Sequence, residues 1–153
     1  LSCRVYEVPG HTRDSLAYAI PEIGALFTGE AAGVPQGMED HTPQVGFLAS
    51  YEDYLTSLEK LVGLSPRILC LGHGFVFTGE DASEYLRSSY AATFEYRSLI
   101  ERYLDEAGGD VEKAVLTMAV KEYDEKGTIR QERNAYLTNL SAQVRLIAGM
   151  NGR

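Results

Sequence analysis

The chain has 153 residues, 44% hydrophobic and 24% charged, with a formal net charge of −8. This composition is globular and excludes wholesale disorder. The acidic balance argues against nucleic acid as a partner, because phosphate binding needs clustered Lys and Arg. No apolar run approaches the roughly 20 residues that span a bilayer, so no membrane association is expected. The start, Leu1-Ser2-Cys3-Arg4, resembles no signal peptide. Cys3 and Cys70 fall in separate strand candidates and read as buried free thiols of a reducing, cytoplasmic compartment.

In chain order, Cys3 to Val8 reads as a strand ending at Pro9. Leu16–Ile20 and Ala25–Thr28 form a second and third strand about a Pro21-Glu22-Ile23-Gly24 turn. Residues 31–48 hold five glycines and prolines and read as a loop long enough to act as a flap. Ser50-x-x-Asp53 resembles a capping box. It opens a helix whose stripe is Tyr54, Leu55, Leu58, Leu61 and Val62, ending at Gly63. Arg67 to Leu71 is a short buried strand. Thr78-x-x-Asp81 is expected to start a long helix carrying Ala82, Leu86, Tyr90, Phe94, Leu99, Tyr103 and Leu104. Gly108-Gly109 stops it. Asp110 caps a second helix with Val111, Ala114, Val115 and Met118 inward, and Lys126-Gly127 breaks that one. A third helix from about Gln131 carries Tyr136, Leu140, Val144 and Ile147.

Three hydrophobic runs end in glycine next to a metal-ligating residue type: Pro9-Gly10-His11-Thr12, Phe27-Thr28-Gly29-Glu30 and Leu71-Gly72-His73-Gly74. A strand that ends this way presents His or Glu at the sheet rim, where glycine allows a sharp turn. Two histidines and a carboxylate form a ligand set for zinc, with iron as the other metal such a set accepts. Cys70 lies mid-strand, where burial makes a thiol inert. His41, in an acidic glycine-rich loop, reads as solvated. Gly72-His73-Gly74 lacks both the GxxxxGK[ST] and GxGxxG phosphate-loop patterns. Glu101, Asp105, Glu112 and Glu122 read as solvated helix faces.

Val8-Pro9-Gly10-His11-Thr12, Leu26-Phe27-Thr28-Gly29-Glu30 and Cys70-Leu71-Gly72-His73-Gly74 together resemble the metallo-β-lactamase-fold metallo-hydrolase superfamily. The motif order there is PGHT, LFTGD, GHG. The resemblance covers roughly residues 3–80 and matches the second half of the family domain. It implies an α/β chain: the second half of a metallo-β-lactamase-like αββα sandwich (residues 1–78), followed by an all-helical extension (residues 79–153). The His-x-His-x-Asp-His signature of the first half does not occur, and Leu1 is not a natural initiating residue. The chain therefore reads as a fragment or processed product of a larger protein.

By this resemblance His11 and His73 serve two metal positions, Glu30 stands where the family has the bridging Asp, and one or two zinc ions are expected. This chain then supplies two ligands to each metal at best. Glu30 adds a methylene and changes reach by about 1.5 Å, which puts a standard dinuclear centre in question. Thr12 and Ser15 are candidates to bond behind His11, against ordinary turn chemistry as the alternative. Tyr85, Tyr90 and Tyr96 are candidates to line a substrate pocket.

The implied activity is hydrolysis of a small-molecule ester, thioester, lactone or phosphoester by a metal-bound hydroxide, with no catalytic proton carrier in this chain. The expected partner is the missing N-terminal half or a second chain, a homodimer included. The rival reading is a non-catalytic binding or regulatory scaffold with a degenerate metal site.

Overall fold

The computed structural model of the chain describes residues 1–150 and 152. A five-stranded sheet carries the first half, in the order β1 (Arg4–Glu7), β2 (Leu16–Ile20), β3 (Ala25–Gly29), β6 (Ile68–Leu71), β7 (Val76–Thr78). Its pairs are antiparallel except β3 with β6. That parallel pair requires a crossover, and α1 (Tyr51–Gly63) lies within it. Ser50 caps α1 as its sequence predicts, accepting from the Asp53 N–H at 3.1 Å.

The segment expected as a bare loop holds a two-stranded ladder, β4 (Val34–Pro35) with β5 (Pro43–Gln44). Helices α2 (Glu80–Glu106), α3 (Val111–Met118), a π-helical continuation Ala119–Asp124, and α4 (Arg133–Met150) complete the fold.

The pleat sorts the sheet residues. Ala17, Leu26, Leu69 and Phe77 are buried and share one core with Tyr54, Leu58 and Leu61 of α1 and with Leu86, Ile100 and Leu140 of the later helices. A single core thus crosses the expected boundary at residue 78. The opposite sheet face is bare. Val5, Tyr18, Phe27, Cys70 and Val76 are register partners in one row across all five strands. Val5, Tyr18, Phe27 and Val76 of that row are 56, 44, 41 and 58% exposed.

Several expectations are corrected. Thr78 does not cap α2: it ends β7, an edge strand short enough to pass for a cap. Gly79, at φ 62°, occupies the N-cap position without a side-chain bond. The inward face of α2 is Ala82, Tyr85, Leu86, Ser89, Thr93, Ile100, Tyr103 and Leu104, whereas Phe94 is 45% exposed. Two polar residues hold that face because their hydroxyls are satisfied. Ser89 Oγ donates to the Ala32 carbonyl at 2.6 Å, and Thr93 Oγ1 to the Ser89 carbonyl at 2.8 Å. Cys3 is exposed rather than buried, and both cysteines are free. Among the described residues no helix is long and apolar enough to cross a membrane.

Candidate metal centre

The three glycine-flanked endings converge at one end of the sheet. His11 follows Gly10, whose φ of 129° only glycine adopts readily. The Gly10 carbonyl accepts from the N–H groups of Leu48 and Ala49 at 3.1 and 2.9 Å, which ties the His11 turn to the entrance of α1. The His11 side chain is 15% exposed. Its Nδ1 lies 2.6 Å from the Gly46 carbonyl oxygen. A carbonyl only accepts, so Nδ1 carries a proton in this contact and Nε2 faces the other way.

Glu30 follows β3 at the point where the β3–β6 register shifts, between Phe27 and Gly29. Its Oε2 stands 3.5 Å from His11 Nε2 and its Oε1 3.3 Å from His73 Nε2. His73 lies in the turn Gly72–Gly74 after β6, at φ 60° and ψ 20°. A non-glycine residue in this left-handed region stores roughly 1–2 kcal/mol. His73 is 64% exposed at its side chain, so packing does not force that conformation. His73→Gly is therefore expected to raise stability by about 1 kcal/mol while weakening metal uptake, read by thermal melting and by competition with a chromophoric chelator.

The donor set fits a metal in part. His11 Nε2 faces a carboxylate oxygen of Glu30, an arrangement satisfied either by a proton on Nε2 or by a metal cation between the two. Two ligands held about 2.0–2.1 Å from one tetrahedral zinc would lie about 3.3–3.4 Å apart, close to the separations found here. Each oxygen of Glu30 meets one imidazole, giving two half-sites of one nitrogen and one oxygen. Among the described residues no group of three His, Cys, Asp or Glu side chains is arranged to hold a metal ion.

A cavity of about 290 Å³ opens beside these residues, and the helical part of the chain walls it with Tyr96, Arg130, Gln131, Tyr136, Asn139 and Gln143. Burial pushes the Tyr136 hydroxyl up to about 12 and the Tyr96 hydroxyl well above its ordinary value. Both phenols stay protonated and cannot act as bases near neutral pH. Among the described residues Arg130 is the only Lys or Arg in the wall.

Of the three pocket tyrosines expected from sequence, Tyr96 lies in this wall. Tyr85 is buried and stacked on Phe77 with ring centroids 4.6 Å apart. Tyr90 packs edge-on against Phe94. Thr12 and Ser15 bond to each other at 2.8 Å, and Thr12 Oγ1 donates to Asp14. Neither bonds to His11, whose partner is Gly46. No local signal marks Gly46. A Cβ at this position would lie 3.0 Å from His11 Nδ1 and press on the ring. His41 is exposed and packs edge-on against Phe77, outside the cavity. Burial raises the Cys70 thiol.

Residues 4–73, which hold all three candidate ligands, match the sequence model of the metallo-beta-lactamase superfamily. A metallo-beta-lactamase family protein of Thermus thermophilus is similar across 98% of this chain and 44% of its own, at 22% identity and a TM-score of 0.62. An archaeal superfamily protein of Sulfolobus tokodaii is similar across 56% of this chain and 32% of its own, at 26% identity and a TM-score of 0.46. The chain thus spans less than half the length of either. No curated protein matches the chain.

Proposed function

We propose that this chain is part of a metal-dependent hydrolase acting on an ester, thioester, lactone or phosphoester, with His11, Glu30 and His73 contributing to a centre for one or two zinc ions, or iron. The observation that carries the reading is the Glu30 carboxylate, each of whose oxygens is met by the Nε2 of a different histidine. Zinc, when bound, acidifies a water molecule and polarises the scissile carbonyl or phosphoryl group. The chain's own residues orient the pieces. Gly46 fixes the His11 ring, Tyr96 and Tyr136 offer neutral hydroxyls to the substrate, and Arg130 favours a substrate with a negative charge. The general base is proposed to come from outside this chain.

Two half-sites need further ligands, and the bare sheet face needs a cover. The Thermus neighbour has more than half its length without a counterpart here. The cover proposed is a second apolar sheet layer, from a further segment or a second chain. Contiguous apolar patches of this sort mark interfaces. The 153-residue chain alone is expected to self-associate in sedimentation velocity, and the double substitution Tyr18→Lys with Phe27→Lys is expected to shift it toward monomer. A wild-type chain that stays monomeric at high concentration counts against this cover.

The rival reading, a binding or regulatory scaffold with a degenerate centre, draws on the lack of a three-residue metal cluster among the described residues. Hydrolysis of 4-nitrophenyl acetate by the zinc-supplemented protein separates the two. Turnover that a chelator abolishes and zinc restores supports the hydrolase. Turnover indifferent to both favours the scaffold.

A further inference from the structure

Gln143 lies on α4, is 3% exposed, and sits 98 residues along the chain from its partner. Its Nε2 donates to the Val45 carbonyl at 2.9 Å. A buried amide in an apolar core must satisfy its polar atoms, but where this bond falls is informative. The N–H of the same peptide unit, on Gly46, donates to the Tyr54 hydroxyl at 3.3 Å. A peptide unit is planar, so holding its oxygen from one side and its N–H from the other fixes the plane. The next carbonyl along is that of Gly46, which accepts from His11 Nδ1.

Glycine at 46 leaves both torsions between these two peptide units soft. The carbonyl that sets the His11 ring would wander unless its neighbours were held. Phe47 holds it from the far side, fully buried with its ring against Tyr51, Tyr54 and Tyr96. Gln143 and Tyr54 hold the near side. Burial keeps the Tyr54 hydroxyl protonated, so it remains a neutral partner.

We infer that Gln143 is a positioning residue for His11, acting through the Val45–Gly46 peptide to keep the ring in the Nδ1–H tautomer with Nε2 turned to Glu30. The helical half of the chain then helps to build the centre and is more than a wall beside it. The consequence for metal affinity rests on the proposed metal-dependent function; the consequence for the ring does not.

The test is long-range proton–nitrogen NMR on the full chain with 15N-labelled histidines, without metal and at a pH where the rings are neutral. The expected result in the wild type is His11 protonated at Nδ1. Gln143→Met keeps the volume and removes the donor, and should move His11 toward the mixed tautomers of an unconstrained ring. His73, which makes no bond to this peptide, should keep its pattern in the same spectrum. Tyr54→Phe releases the other end of the peptide and serves as the second variant, with a smaller shift in the same direction. Zinc affinity of Gln143→Met, from chelator competition, should fall about 10–100-fold, as for other outer-shell partners.

An Nε2–H tautomer in the wild type overturns the inference. So does a His11 pattern indifferent to both substitutions, or equal movement of His11 and His73, which would mark general loosening. Failure of every variant and the wild type to take up zinc would sink the metal reading and leave the tautomer to decide for or against Gln143.

Discussion

Gly10→Ala is expected to destabilise the chain by about 3 kcal/mol or more, a loss of about 10 °C in melting temperature or outright failure to fold. A methyl group at this position would stand 2.5 Å from Tyr54 Cβ and closer still to the Tyr54 backbone. Backbone of a helix cannot retreat as a flexible side chain can. The φ of 129° adds strain that an alanine pays and a glycine does not. The Gly10 carbonyl also gathers the N–H groups that open α1, so any shift to relieve the clash disturbs that entry. Because His11 is the next residue, a folded remnant should also show an altered His11 ring environment by NMR. Thermal melting followed by circular dichroism reads the first effect directly. A melting temperature within a degree or two of wild type would show that the α1 entrance is not packed this closely.

Glu30→Gln is expected to have the largest effect on metal uptake. The carboxylate is shared, so one substitution removes the negative charge from both half-sites and should exceed the roughly 10–100-fold cost of losing an outer-shell partner. Glu30→Asp is the sharper probe. Aspartate is the residue the superfamily motif carries, but here the side chain spans between two imidazoles at 3.5 and 3.3 Å. Removing a methylene withdraws the oxygens by about 1.5 Å. Aspartate should therefore weaken binding in this chain, although it is the family residue. Competition titration with a chromophoric zinc chelator measures both variants. Equal affinity of the Glu30→Gln and wild-type proteins would remove Glu30 from the centre.

The parts of the fold legible in sequence are those written in local chemistry. Ser50 with the Tyr54, Leu58, Leu61 stripe announced α1, and the Pro21–Gly24 turn announced the β2–β3 pair. The three glycine-flanked endings placed His11, Glu30 and His73 at strand ends. β7 escaped because three residues, Val76–Thr78, carry too little pattern, and Thr78 with Asp81 imitates a cap. Hydrophobicity alone favours Phe94 for the inward face of α2, yet Phe94 is 45% exposed. Ser89 and Thr93 are buried through bonds to carbonyls, one of them 57 residues away.

The partner of His11 was out of reach for the same reason. Thr12 and Ser15 are near it in sequence, but Gly46 and Gln143 are near it in space. Periodicity reports which side of an element is apolar. It does not report which distant carbonyl a buried polar group will find.

The central claim, that His11, Glu30 and His73 form one metal centre, is tested most directly by titrating zinc into the 15N-histidine-labelled chain. The sequence contains three histidines, so the spectrum is complete with three ring systems. The expected result is that the Nε2 signals of His11 and His73 respond over the same range of zinc concentration while His41 does not, and that Glu30→Gln removes both responses. Zinc that moves His41, moves His73 alone, or leaves His11 untouched would contradict the account.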